Sequence, residues 1–240
     1  MTDFKTSGPK PKALGQDRSS LAEPGFAAIG QSIEINGLIL KSLFNSTLAD
    51  SGDQPIGELT AMTLHELPFG GVALNGVTRA GEVVLLEVHS QNSPGFNDRF
   101  HLNTERSFDY YSPALFLNEP IKREFRVIAL AILNFVLRPD AKNFHQVAEL
   151  TSREEPREKL SSPYTFHFLQ LPKFKEIKPD FNNPLHCWLT ALVRSEESNR
   201  RLMEVVEEDA NLLKFSQADQ GFAQFVVHET WPLSSSERTH

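Results

Sequence analysis

Between residues 56 and 91 the chain reads as successive apolar runs at strand spacing, with helical signals on either side. Ile39, Leu43 and Phe44 lie at helix-face spacing with Leu40 beside them, so Phe26 to Leu48 predicts a helix; Ser, Asp and Gly between Asn45 and Pro55 predict its interruption. Strand-like segments follow at Ile56 to Leu67, Val72 to Thr78 and Glu82 to Gln91. The short link Arg79-Ala80-Gly81 suits a hairpin between the last two. Phe96 to Leu117 reads as an aromatic-rich helix. Phe125 to Val136 contains Val127 to Leu133, apolar on both faces and therefore a buried strand. Tyr164 to Leu171 is β-rich and Pro172 ends it. Leu185 to Val193 resumes the helical period, Glu197 to Glu208 reads as a charged helix, and Phe222 to Trp231 is apolar enough to dock. A mixed sheet flanked by helices is the expected α/β architecture. Residues 1–24, with Gly8-Pro9-Lys10-Pro11-Lys12 and Ser19-Ser20, have no hydrophobic period and are expected to form a disordered arm. A core over 25–193 and a helical C-terminal extension over 194–240, fraying from Ser234, complete the expected organisation.

Composition narrows the classes without choosing among them. The 240 residues are 40% hydrophobic and 23% charged, with a formal net charge of −7, so bulk polyanion binding is not indicated. No apolar stretch approaches the roughly 20 residues of a membrane span, and Met1 to Leu21 is polar, unlike a signal peptide. The single cysteine, Cys187, excludes an internal disulfide framework and, beside Trp188, reads as core. A soluble, cytoplasmic chain is expected.

The most informative segment is Val83-Val84-Leu85-Leu86-Glu87-Val88-His89-Ser90-Gln91. On a strand, Glu87, His89 and Gln91 share one face with Val83 and Leu85, opposite Val84, Leu86 and Val88. A carboxylate in so apolar a strand costs on the order of several kcal/mol unless something pairs with it. A metal ion is one such partner; an Arg, or a position at the solvated end of the sheet, serves equally well. Asn75-Gly76 stands inside the preceding strand although Asn-Gly is a turn signal. Counted outwards from Gly81, Asn75 and Glu87 are expected as approximate cross-strand neighbours.

An acid, a short turn and Glu-x-(Lys or Gln) on a strand resemble the PD-(D/E)XK nuclease superfamily. The chain is most similar within it to the Rpn family of recombination-promoting nucleases and putative transposases. Asn36 to Phe44, with Lys41 and Phe44, resembles that family's N-terminal helix; Leu74-Asn75-Gly76-Val77 resembles its Leu-Asp-Gly-Val strand. Gly81 through His89 resembles its Glu-bearing strand, and Phe96, Arg99, Tyr110 and Tyr111 echo the following helix. Phe125 to Leu130, His167 to Phe174 and Leu185 to Leu189 extend the likeness to about residue 193.

The resemblance implies a restriction-endonuclease-like fold and Mg²⁺- or Mn²⁺-dependent hydrolysis of DNA phosphodiesters. In such a site Glu87 and Asn75 would be metal ligands, and His89 and Gln91 would orient water. The departures imply that this activity is weakened or lost. The family's metal-binding Asp stands here as Asn75, which brings no negative charge, and its Gln or Lys as His89, better suited to Zn²⁺ or Mn²⁺. Gly37 occupies the place of the helix acid, with Glu34 a shifted substitute. A non-catalytic DNA-binding or protein-interaction module on the same scaffold, without a cofactor, is the alternative, and either form could be a homodimer. Basic residues at Lys122, Arg123 and Arg126, and at Lys173, Lys175 and Lys178, could track a phosphate backbone. The remaining histidines show no metal-binding spacing. Leu202, Val205 and Val206 could dock on the core or on a second subunit.

Overall fold

The computed structural model describes residues 33–67, 71–116, 126–149, 163–198 and 201–228. The expected N-terminal arm, Lys122, Arg123, Trp231 and the C-terminal end lie outside the described residues.

The first helix, α1 (Ile33–Ser51), buries Leu40, Leu43, Phe44 and Leu48 at i, i+3, i+4 and i+8. It runs on through the Asn45–Ser51 segment expected to break it, because the polar side chains there are satisfied locally. Thr47 Oγ1 donates to the Leu43 carbonyl at 2.9 Å, and Asn45 Oδ1 accepts from the Ile56 amide at 2.7 Å. Gly52, at φ +80°, ends the helix.

Strands β1 (Leu59–Leu67), β2 (Gly71–Thr78) and β3 (Val83–His89) form an antiparallel meander. After α2 (Phe96–Phe116), strand β4 (Val127–Leu133) pairs parallel to β3. β5 (His145–Glu149) and β6 (Tyr164–Gln170) follow; β6 pairs parallel to β4 and antiparallel to β5, giving the order β1-β2-β3-β4-β6-β5. Pro172 lies in the first turn of the short α3 (Leu171–Phe174), where a missing N–H costs nothing.

Four more helices follow: α4 (Pro184–Ser198), α5 (Leu202–Glu208), α6 (Ala210–Ala218) and α7 (Gln220–His228). The single charged helix expected over Glu197 to Glu208 is therefore divided between α4 and α5, with Arg201 extended ahead of α5. Leu202, Val205 and Val206 dock on the core. Among the described residues no helix is long and apolar enough to cross a membrane.

β3 and β4 are buried along their whole length and separate two apolar layers. On one face Leu74, Val84, Leu86, Val88, Ile128, Leu130 and Ile132 pack against α1 and α4–α7. On the other, Leu85, Ala129, Ala131 and Leu133 pack against Phe96 and Phe100 of α2. Gly76 belongs to the first face. A Cβ there would stand 3.0 Å from the Ala61 carbonyl oxygen and 3.1 Å from Leu59, so close packing, not a turn, accounts for Asn-Gly within a strand. A second close approach joins α7 to α1: a Cβ on Gly221 would lie 2.3 Å from the Leu38 carbonyl oxygen. Trp188 of α4 sits at that junction, donating from Nε1 to Ser42 Oγ at 3.1 Å and packing on Phe222 and Phe225.

Candidate active site

The β2–β3 turn sets the geometry of the site. Thr78 N donates to Glu82 O and Gly81 N to Thr78 O, enclosing Arg79, Ala80 and Gly81, with Gly81 at φ +88°. This is a three-residue loop whose last position needs glycine. Its centre is Ala80, one residue before Gly81, the centre expected from the sequence. The register therefore pairs Asn75 with Leu85 and Glu87 with Ala73. Asn75 and Glu87 share the α2-facing side of the sheet, but as diagonal neighbours and not as a directly opposed pair.

Glu87 is 1% exposed, and both of its oxygens are engaged by protein donors. His89, two residues on along the same face, places Nε2 2.7 Å from Oε2. Asn103, reaching down from α2, donates Nδ2 to Oε1 at 2.8 Å. Where the carboxylate is ionised it can only accept, and the proton of this hydrogen bond then sits on His89 Nε2. Its ring stands edge-on to Phe96 at 4.8 Å, which holds its orientation. Thus a protein-built cage, and not an Arg or a solvated sheet end, compensates the carboxylate that the strand pattern singles out.

Asn75 is buried too. Its backbone carbonyl accepts from Tyr111 OH at 3.3 Å, and that hydroxyl also meets Thr63 Oγ1 at 3.3 Å. Burial pushes the Tyr111 phenol up from its ordinary value. Asn75 Oδ1 finds no hydrogen-bond partner among the described residues. Gln91 does not join the cluster: β3 ends at His89, and Gln91 is exposed in the bend beyond it.

The model of the PD-(D/E)XK nuclease family transposases matches residues 34–224. The chain belongs to this family. No curated protein and no solved structure matches it. The six-stranded mixed sheet with its flanking helices is consistent with the family's restriction-endonuclease-like fold, and the match extends through α4, α5 and α6 into α7.

PD-(D/E)XK nucleases are generally dependent on a divalent metal, so the fit of such an ion can be judged from the donors present. Mg²⁺ requires near-octahedral oxygen ligation and favours carboxylates. The cluster offers one carboxylate, already bonded at both oxygens, one neutral amide oxygen and an imidazole. Among the described residues no group of three or more His, Cys, Asp or Glu could hold a metal. These residues do not fit Mg²⁺.

Part of the basic character noted in the sequence is also used inside the molecule. Arg126 binds Glu82 Oε1 at 2.9 Å and the Gln54 carbonyl at 2.8 Å. Lys173 is buried, and its Nζ donates to the Arg138 and Ala141 carbonyls; Gln170 Oε1 accepts from the Leu137 and Arg138 amides. The Gln170–Phe174 motif therefore ties down the loop after β4. Cys187 is fully buried, and burial pushes its thiol up to about 11, which fits the core reading. Asn103 went unnoticed in the sequence, since nothing marks an Asn sixteen residues beyond Glu87 as its partner.

Proposed function

We propose that this chain is a non-hydrolytic member of its family, in which the metal-centred phosphodiester chemistry has been exchanged for a closed polar cluster. The observation that carries this reading is Glu87: a carboxylate 1% exposed, with both oxygens occupied by His89 and Asn103. A scissile phosphate would have to displace these donors and part α2 from the sheet before touching the one remaining acid of the signature. What the scaffold then retains is binding, with DNA the candidate ligand class and a protein partner the alternative. The internal use of Arg126 and Lys173 removes two of the cations that a phosphate-tracking surface would use.

One observation favours a second reading, in which Asn75 and Glu87 hold a cation and His89 orients water, without Gln91, which lies exposed beyond β3. Asn75 Oδ1 is a buried oxygen with no protein partner among the described residues, and such an atom can ligate. Plasmid cleavage with Mg²⁺ and with Mn²⁺ separates the two. The expected result is intact supercoiled DNA at any metal concentration. Metal-dependent cleavage that disappears in Glu87→Ala would establish the second reading.

A further inference from the structure

On the sheet face opposite Glu87, four titratable side chains are strung in a line across the end of α1 and the outer strands. Asp50 of α1 meets His145 of β5, with Oδ2 2.6 Å from Nδ1. His145 Nε2 is 3.1 Å from His167 Nδ1 on β6. His167 Nε2 in turn points towards Asp53 Oδ2 at 3.9 Å, beyond hydrogen-bond reach. His167 is fully buried and this Nε2 has no partner among the described residues, whereas Asp53 is about a third exposed. The other groups facing the line are Asn183, which donates to Asp50 Oδ1 at 2.5 Å, His186 of α4 near Asp50, Ser51, which donates to Asp53 Oδ2 at 2.5 Å, and Arg126 near His167.

We propose that Asp50, His145, His167 and Asp53 form a one-proton switch that clasps the C-terminal end of α1 to the β5–β6 edge of the sheet. The hydrogen-bond bookkeeping allows two states. With both imidazoles neutral, His145 donates Nδ1–H to Asp50, so its Nε2 accepts from His167 Nδ1–H. His167 Nε2 is then a bare lone pair facing an anion, which accounts for its separation from Asp53. Add one proton from solvent at His167 Nε2, on the partly exposed Asp53 side, and the Nδ1 proton crosses to His145 Nε2. His145 is now the imidazolium, ion-paired with Asp50; His167 is still neutral but is the Nε2–H tautomer and donates to Asp53. One proton has entered, every nitrogen in the line is satisfied, and both acids at the end of α1 are tied to strands.

Two further facts limit the switch to one proton. Burial, and then the charge of His145, push His167 down to about 4, so it does not become a second imidazolium in the ordinary acidic range. Burial raises Asp50, but its hydrogen bonds from His145 and Asn183 prevail and hold it below the usual carboxylate range, so it remains the anion throughout.

The test is imidazole nitrogen NMR on the ¹⁵N-labelled full chain, titrated from about pH 8 to about pH 5, where His charge changes. Expected is a single event in which His145 becomes doubly protonated while His167 changes from the Nδ1–H to the Nε2–H tautomer. A His167 that keeps one tautomer throughout, or that acquires both protons together with His145, overturns the proposal. Asp53→Ala supplies an independent readout in thermal unfolding. Its deficit relative to the wild type should widen as pH falls, because only the protonated state bonds Asp53 to His167; a deficit constant with pH, as loss of the Ser51 contact alone would give, is the contrary result. Glu87 lies on the other side of the sheet, so the outcome of the cleavage assay does not bear on this one.

Discussion

Adding one methyl group at Gly221 should destabilise the protein, against the usual effect of such a change in a helix. Gly to Ala within a helix ordinarily stabilises by up to about 1 kcal/mol through reduced backbone entropy in the unfolded chain. At Gly221 the new Cβ would sit 2.3 Å from the Leu38 carbonyl oxygen and 2.5 Å from Ser42 Cβ. Carbon atoms pack best at about 3.5–4.0 Å, so α7 must retreat by about 1 Å. The Leu38 oxygen belongs to helix backbone and cannot swing aside. The retreat opens the layer in which Phe222, Phe225 and Val226 are buried and Trp188 packs on both rings. Two contacts this short, one of them to backbone, place the change in the upper part of the about 1–3 kcal/mol that overpacking costs, so a propensity gain of at most about 1 leaves a net loss of about 1–2 kcal/mol. Gly37 of α1 provides the control, since a Cβ there meets only Leu59 Cβ at an ordinary 3.8 Å. Gly37→Ala should stabilise by about 0.5–1 kcal/mol. Urea unfolding followed by circular dichroism measures both midpoints. A Gly221→Ala protein as stable as the wild type would refute the close α1–α7 approach.

Three further expectations follow from buried polar groups. Asn103→Ala removes a donor to the buried Glu87 carboxyl group and should cost about 1–3 kcal/mol in denaturant unfolding; a neutral result would mean that Asn103 does not hold Glu87. Asn75→Asp sets a second anion diagonal to Glu87, so the variant should melt earlier than the wild type without metal and show no large recovery with Mg²⁺ while His89 and Asn103 keep both Glu87 oxygens; recovery to the wild-type midpoint would show that a cation site can be rebuilt. His167, held near 4 against an ordinary 6.5, binds its proton in the unfolded chain before the folded one, so its contribution is complete above about pH 6.5 and is lost as pH falls towards 4. At 1.36 kcal/mol per unit this amounts to about 3 kcal/mol, and His167→Gln should flatten the acid limb of stability against pH; an unchanged limb would assign it to other groups.

The legible parts of the fold were those whose sequence signal is local. Val127 to Leu133 announces a buried strand because both faces are apolar, Glu82 to Gln91 contains β3, and Phe96 begins α2 where its helical pattern begins. β5 escaped notice because His145 to Glu149 is short, half polar and only partly covered at the sheet edge, so no alternation marks it. Glu87 and His89 stood out by chemistry alone, as polar residues in an apolar strand. Their partner did not, since Asn103 meets Glu87 only once a helix has folded across the sheet. The register error had a smaller cause: glycine marks the last position of the three-residue turn, not its centre, and that offset turns a facing pair into a diagonal one.

The docking of α7 on α1 also bears on how the chain is made. The face of α1 that carries Leu38 and Ser42 is completed by a glycine about 180 positions later. During synthesis the β1–β2–β3 meander can pair from its own neighbours, since its contacts are short in sequence. α1 has no such opportunity: part of its apolar surface stays wet until α4 and then α7 emerge from the ribosome. At roughly 5–20 residues per second the interval is on the order of ten seconds or more, during which that surface is open to chaperones or to wrong partners. Substitutions that loosen the α1–α7 seam should therefore lower the yield of soluble protein in cells by more than their effect on equilibrium stability alone would give.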